Sequence, residues 1–167
     1  IHTWPEHPYD YLIEIIKNKK WDKQSIGLER DSHYFPAFCY QKLIDGLPDA
    51  SLKDSERLVN WVRYIKSNNE IELMKNAALI TDQAMQTAID IINPGIRQCD
   101  AVGEIQKAIF YGTPEIGGEY SSIATLLPTG AGTSASHLTA TQEKFVKGEA
   151  TIVELAGVHK RYHAPLA

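Results

Sequence analysis

Both a start and a stop are written into the stretch from Ser67 to Gly95. Ser67 followed three residues later by Glu70 is a capping box, in which each side chain satisfies an amide that the first turn of a helix leaves without a partner. Apolar residues then recur near helical period at Ile71, Met74, Ala78, Ala84, Met85, Ile89 and Ile92, until Asn93-Pro94-Gly95 ends the run. A second helix is expected from about Cys99 to Tyr111, where Val102, Ile105, Ile109 and Phe110 keep helical spacing. Beyond it the pattern changes to strands. Ser121 to Leu127 reads as one, Pro128 to Ser136 as a loop of small residues, and Lys147-Gly148-Glu149 as the turn into another, Ala150 to Gly157.

That last strand carries a carboxylate among apolar neighbours. Alternation places Ile152, Glu154 and Ala156 on one face and Thr151, Val153 and Leu155 on the other. Burial without a cationic partner favours the neutral acid and raises a carboxyl pKa, which tunes a general base or acid toward neutrality. The alternative is a solvated Glu paired with a Lys across a hairpin. His137, seventeen positions earlier, follows the small-residue loop and is either a surface histidine or a proton shuttle, for which its ordinary pKa of about 6.5 is suited. His159 and His163 imitate a metal-ligand spacing. If they share one strand they lie about 13 Å apart, too far for a common ion. His2, His7 and His33 read as surface or packing residues.

The 167 residues are 43% hydrophobic, with a formal charge of −4. That suffices for one domain or parts of two, and argues against nucleic acid as a partner. No apolar run is long enough to span a bilayer, so no membrane partner is expected. Cys39 and Cys99 are far apart, without metal-ligand spacing, and read as reduced packing thiols of a cytoplasmic protein. Before the capped helix, Tyr9 to Lys19 and Tyr34 to Leu43 read as helices, Ser25 to Glu29 as a short strand, and the end of Ser51 to Val62 as a late strand.

From Lys66 to Ala167 the sequence resembles the first half of the "pita-bread" catalytic domain shared by methionine aminopeptidases, Xaa-Pro peptidases, creatinase and ectoine hydrolases. The resemblance implies an α+β fold. Residues 1–64 would be the tail of a smaller α/β amino-terminal domain of the creatinase type, and residues 65–167 the first half of the pita-bread domain. It also implies that the second half of the site lies outside this chain, so that the fragment alone is inactive. In the metal-dependent peptidases of the group, a His precedes one metal-bridging Asp by seventeen positions, and a second Asp follows eleven later. Here those places hold His137, Glu154 and Pro165. Proline has no ligand atom and Glu is longer by a methylene, which disfavours a metal pair and points to the metal-free members.

Among these, Leu126-Leu127-Pro128-Thr129-Gly130, Ser134-Ala135-Ser136-His137-Leu138-Thr139, Glu154-Leu155-Ala156-Gly157 and Lys160-Arg161-Tyr162-His163-Ala164-Pro165-Leu166 are similar to signature blocks of the ectoine hydrolases. The resemblance implies a metal-independent hydrolase of a non-peptide C–N bond, opening the ring of a small cyclic amidine, ectoine, to N-acetyl-2,4-diaminobutyrate. Glu154 would be base or nucleophile, His137 the proton shuttle, and Tyr162 and His163 substrate-binding residues. It implies a homodimer and no cofactor. Two alternatives stay open: a creatinase or an Xaa-Pro peptidase, the latter requiring Mn or Zn, and a pita-bread module that binds protein without catalysis.

Overall fold

The computed structural model describes residues 7–167, so His2 lies outside the described residues. The chain divides into two compact units, one ending at Ile65 and one running from Lys66 to Ala167.

In the first unit, helix α1 (Pro8–Asn18) starts at His7, whose Nδ1 accepts the Tyr9 amide at 3.3 Å, and has proline at its first position. His7 is therefore a cap, whereas His33 is simply exposed. Strand β1 (Ser25–Leu28), helix α2 (Ala37–Gly46) and strand β2 (Ser51–Asp54) follow, with β2 parallel to β1 and Ser25 opposite Ser51. Ile13, Ile16, Leu43 and Leu47 form the core between them, with Ile26, Leu28 and Leu52 packed against it.

Two expectations are corrected in this unit. Helix α2 begins at Ala37 instead of Tyr34, because Pro36 holds its own φ at −63° and disfavours helical backbone at the residue before it. The late strand expected before Val62 is helix α3 (Leu58–Tyr64). The Asp54 carboxylate accepts the Glu56 amide at 2.8 Å, and Glu56 and Arg57 take positive φ values of 52° and 60°. That turn ends β2 and re-aims the chain before the β-forming residues Val59, Trp61 and Val62 can extend it.

In the second unit, helix α4 (Asn68–Ile91) is capped as expected. The Ser67 hydroxyl accepts the Glu70 amide, and the Glu70 carboxylate accepts the Ser67 amide at 2.7 Å. Its buried face matches the stripe read from the sequence only in part, through Ala84, with Met85 and Ile92 packed against the core. Ala77, Ile80, Thr81, Ala84 and Ala88 are buried, while Ile71 and Ile89 are exposed. Small side chains let a neighbouring backbone come close, and that neighbour is a hairpin.

Helix α5 (Gln98–Tyr111) ends at Gly112, and strands β3 (Leu155–His159) and β4 (Tyr162–Leu166) pair antiparallel, Gly157 opposite Ala164. The turn between them is Lys160-Arg161, both with positive φ, 47° and 71°. This places His159 and His163 on two strands, correcting the reading that put them on one. Ala84 and Ala88 of α4, Ile105 and Ile109 of α5 and Leu155 of β3 make one core cluster, and Ala101, Leu127 and Phe145 another.

The remaining strands are less regular than expected. Ser121 to Leu127 is not a strand, and only Leu126 is paired, to Thr139 on one side and Glu154 on the other. Residues 150 to 154 run antiparallel to 126 to 130 through bonds such as Gly130 N–H to Ala150 O and Ile152 N–H to Pro128 O. The regular strand begins only at Leu155. Pro128 has no amide to give, and Gly130, at φ 57°, starts a 3-10 turn (Gly130–Ser134), so the ladder cannot continue evenly.

Candidate active site

The 3-10 turn delivers His137. Thr133 and Ser134 donate their hydroxyls back to Gly130 O and Ala131 O, both at 2.8 Å, which stiffens a loop made of small residues. His137 itself sits at φ 61°, a left-handed backbone that turns the chain into the bond from Leu127 N–H to Leu138 O at 3.0 Å. Glu154 is held by its own backbone. It exchanges both main-chain hydrogen bonds with Leu126, at 2.9 and 3.0 Å.

Those two placements bring the imidazole Nε2 of His137 to 3.8 Å from the Glu154 carboxylate. The Glu154 side chain is 30% exposed and that of His137 71%. The carboxylate is thus half-buried, beside an accessible imidazole. At this separation they attract when the imidazole is protonated but are not hydrogen-bonded. Directly opposite residues of a ladder share a face. Leu126 therefore shares the face of Glu154, with Thr139 beyond it in the same row. Sequence reasoning missed both, since no single-sequence signal gives the partner of a strand residue.

The hairpin distributes the remaining candidates between two faces. A Cβ on Gly157 would lie 2.5 Å from the Ala77 carbonyl oxygen, so the face carrying Leu155, Gly157, His159, Tyr162 and Ala164 is the one against α4. Glu154, Ala156, Val158, His163 and Pro165 occupy the other. Tyr162 thus lies on the face opposite Glu154, where its hydroxyl donates to the Glu70 carboxylate at 2.9 Å. That carboxyl is held below its usual range, first by the Ser67 amide, then by the hydroxyls of Ser67 and Tyr162.

His163 shares the face of Glu154. Its Nε2 accepts the Ser122 amide at 3.1 Å, which leaves the ring hydrogen on Nδ1, 3.1 Å from Arg161 O. His159 and His163 point to opposite faces and cannot share an ion. Pro165, opposite Ala156, stands where the strand's amides face away from β3, and the register runs through it without a bulge.

An open cleft of about 410 Å³ lies beside α5, lined by Cys99, Val102, Gln106, Tyr120, Thr125 and Thr139 among others. It contains neither His137 nor Glu154, and its lining is uncharged. The histidine–carboxylate pair therefore lies apart from the cleft. Among the described residues no three His, Cys, Asp or Glu side chains gather so as to hold a metal ion. His137 and Glu154 stand without a third donor, Pro165 offers none, and His163 is committed to Ser122 and Arg161. The donor set of this chain does not fit a metal pair.

The two units, with their hairpin laid on a long capped helix, belong to a known architecture. The structure superposes on prolidase from Thermococcus sibiricus with a TM-score of 0.78 at 21% identity, covering 96% of this chain and 42% of that one. It likewise superposes on prolidase from Pyrococcus furiosus with a TM-score of 0.76 at 18% identity, covering 96% and 47%. The fold is therefore the pita-bread fold of the prolidases and Xaa-Pro peptidases, of which this chain covers about half. The sequence model of metallopeptidase family M24 matches residues 72–167, and the chain belongs to that family. Within it, the chain is similar to ectoine hydrolase of Halomonas elongata, 41% identical over 167 residues, covering 96% of this chain and 42% of that protein. The chain thus spans about two fifths of the length of that relative. Its relatives are hydrolases. No helix among the described residues is long and apolar enough to cross a membrane.

Proposed function

We propose that this chain forms part of a metal-independent hydrolase that opens the ring of ectoine to N-acetyl-2,4-diaminobutyrate. The observation that carries the reading is the 3.8 Å approach of His137 to a half-buried Glu154, in a chain 41% identical to an ectoine hydrolase. Residues up to about 64 are the end of a creatinase-like amino-terminal domain, and those from 65 are the first half of the catalytic domain. The enzyme is a cytoplasmic homodimer.

An amidinium carbon is electrophilic and cationic, so a carboxylate both attracts the ring and can act beside it. As general base, Glu154 takes a proton from water while the oxygen bonds to the amidinium carbon. The carbon–nitrogen bond then breaks. The departing nitrogen receives the water proton, passed on by His137, and the hydroxyl hydrogen of the adduct, and it leaves as ammonium while the carbonyl forms. A variant in which the Glu154 oxygen itself adds to the carbon gives an ester-like intermediate that water hydrolyses to the same products. His163 borders the substrate on the face of Glu154. Tyr162 acts from behind the hairpin, through Glu70.

The test is ectoine ring opening by the full polypeptide with a strong chelator present, with the product followed by proton NMR. Turnover unchanged by chelation supports the metal-free hydrolase. Turnover that appears only with added Mn or Zn, or with an Xaa-Pro dipeptide in place of ectoine, replaces it with the peptidase.

A further inference from the structure

We infer that Thr81 is a positioning residue for the Glu154 carboxylate, an inference that rests on the role proposed for Glu154. The buried face of α4 is Ala77, Ile80, Thr81, Ala84 and Ala88, and Thr81, 3% exposed, is its only polar member. A threonine inside a helix commonly returns its hydroxyl to the carbonyl four residues back. Here Ala77 O lies at 3.1 Å, but Ala164 O on β4 is nearer, at 2.5 Å. The Thr81 hydroxyl oxygen in turn accepts the Gly157 amide of β3 at 2.9 Å. Gly157 and Ala164 are opposite one another in the register, so one hydroxyl fastens both strands of the hairpin to the helix at a single level.

Packing alone does not call for this hydroxyl, since a valine fills nearly the same volume. What the hydroxyl adds is a fixed height of β3 above α4. Gly157 makes that height possible, because a Cβ there would meet Ala77 O and Thr81 N at 2.5 Å. Glu154 lies three residues upstream on the same extended segment, and both its backbone bonds go to Leu126. A strand that rises at Gly157 tilts at Glu154, and the tilt alters the 3.8 Å gap to His137. Misplacing a reacting group by about 1 Å costs up to about a hundredfold in rate.

The experiment compares Thr81→Val and Thr81→Ser in the full polypeptide. Thr81→Val is expected to lower kcat for ectoine between about ten- and a hundredfold, with KM held within about twofold. It is also expected to move the His137 ring proton shifts, read by NMR at one pH, toward those of Glu154→Gln. Thr81→Ser, which keeps the hydroxyl, restores both. A Thr81→Val protein that unfolds more easily yet keeps wild-type kcat and the wild-type His137 ring shifts overturns the inference and leaves Thr81 a structural residue. Should Thr81→Val not fold, Thr81→Ser decides: wild-type turnover and ring shifts support the inference, and a folded serine variant that loses them overturns it. If Glu154→Gln turns over ectoine normally, it is the reading of Glu154 that fails. The His137 ring shifts still report in that case whether Thr81 sets the gap.

Discussion

Replacing Gly157 with alanine tests the packing on which the site is built. The added Cβ would lie 2.5 Å from Ala77 O and from Thr81 N, and 2.8 Å from Thr81 Oγ1, whereas ordinary contact begins at 3.4 Å. Two of these three obstacles are backbone atoms of a helix and cannot step aside, so β3 must rise by about 0.9 Å. Overpacking of this kind costs about 1–3 kcal/mol. The rise also stretches the Gly157 amide's bond to the Thr81 hydroxyl, now 2.9 Å, beyond hydrogen-bond length, at about 1 kcal/mol. The expected loss is therefore about 2–4 kcal/mol, read by urea denaturation followed by circular dichroism, with the dependence on urea unchanged. A Gly157→Ala protein within about 1 kcal/mol of wild type would refute the close approach of hairpin and helix.

Two further outcomes follow from the same physics. Gly103, inside α5, has nothing within 4 Å of the place a Cβ would take, so Gly103→Ala is expected to stabilise the protein by about 0.5–1 kcal/mol in the same urea assay. The Glu70 carboxyl is depressed in the folded state by Ser67 and Tyr162, so its contribution to stability is full above the ordinary carboxylate range and is lost as pH falls through the depressed value. Urea midpoints measured from neutral pH into the acid range should therefore fall more steeply for wild type than for Glu70→Gln. Parallel curves would remove Glu70 from the account.

What could be read from the sequence was local or carried by resemblance. The capping box at Ser67 and Glu70 lies within one helical turn, and both of its bonds form. The spacing of His137 and Glu154 belongs to the family pattern, and the fold brings the two side chains together. Long-range pairing was not legible. Leu126 holds Glu154 from another segment, and nothing in its neighbours names that partner. The Lys160-Arg161 turn lacks the Gly and Asn that usually mark a tight hairpin, so residues 159 to 163 read as one strand. The buried face of α4 was legible only in part, at Ala84, Met85 and Ile92, because close approach to Gly157 also requires Ala77 and Thr81, which the large-residue periodicity does not mark.

The most direct measurement of the central claim is ectoine ring opening by the full polypeptide carrying Glu154→Gln. The amide keeps the size and shape of the side chain but can neither take a proton from water nor attack the amidinium carbon. The variant's kcat is expected to fall by at least about a hundredfold, the lower end of what a general base contributes, while the protein stays folded. Turnover at the wild-type rate would contradict the claim, and would place the base on some other residue.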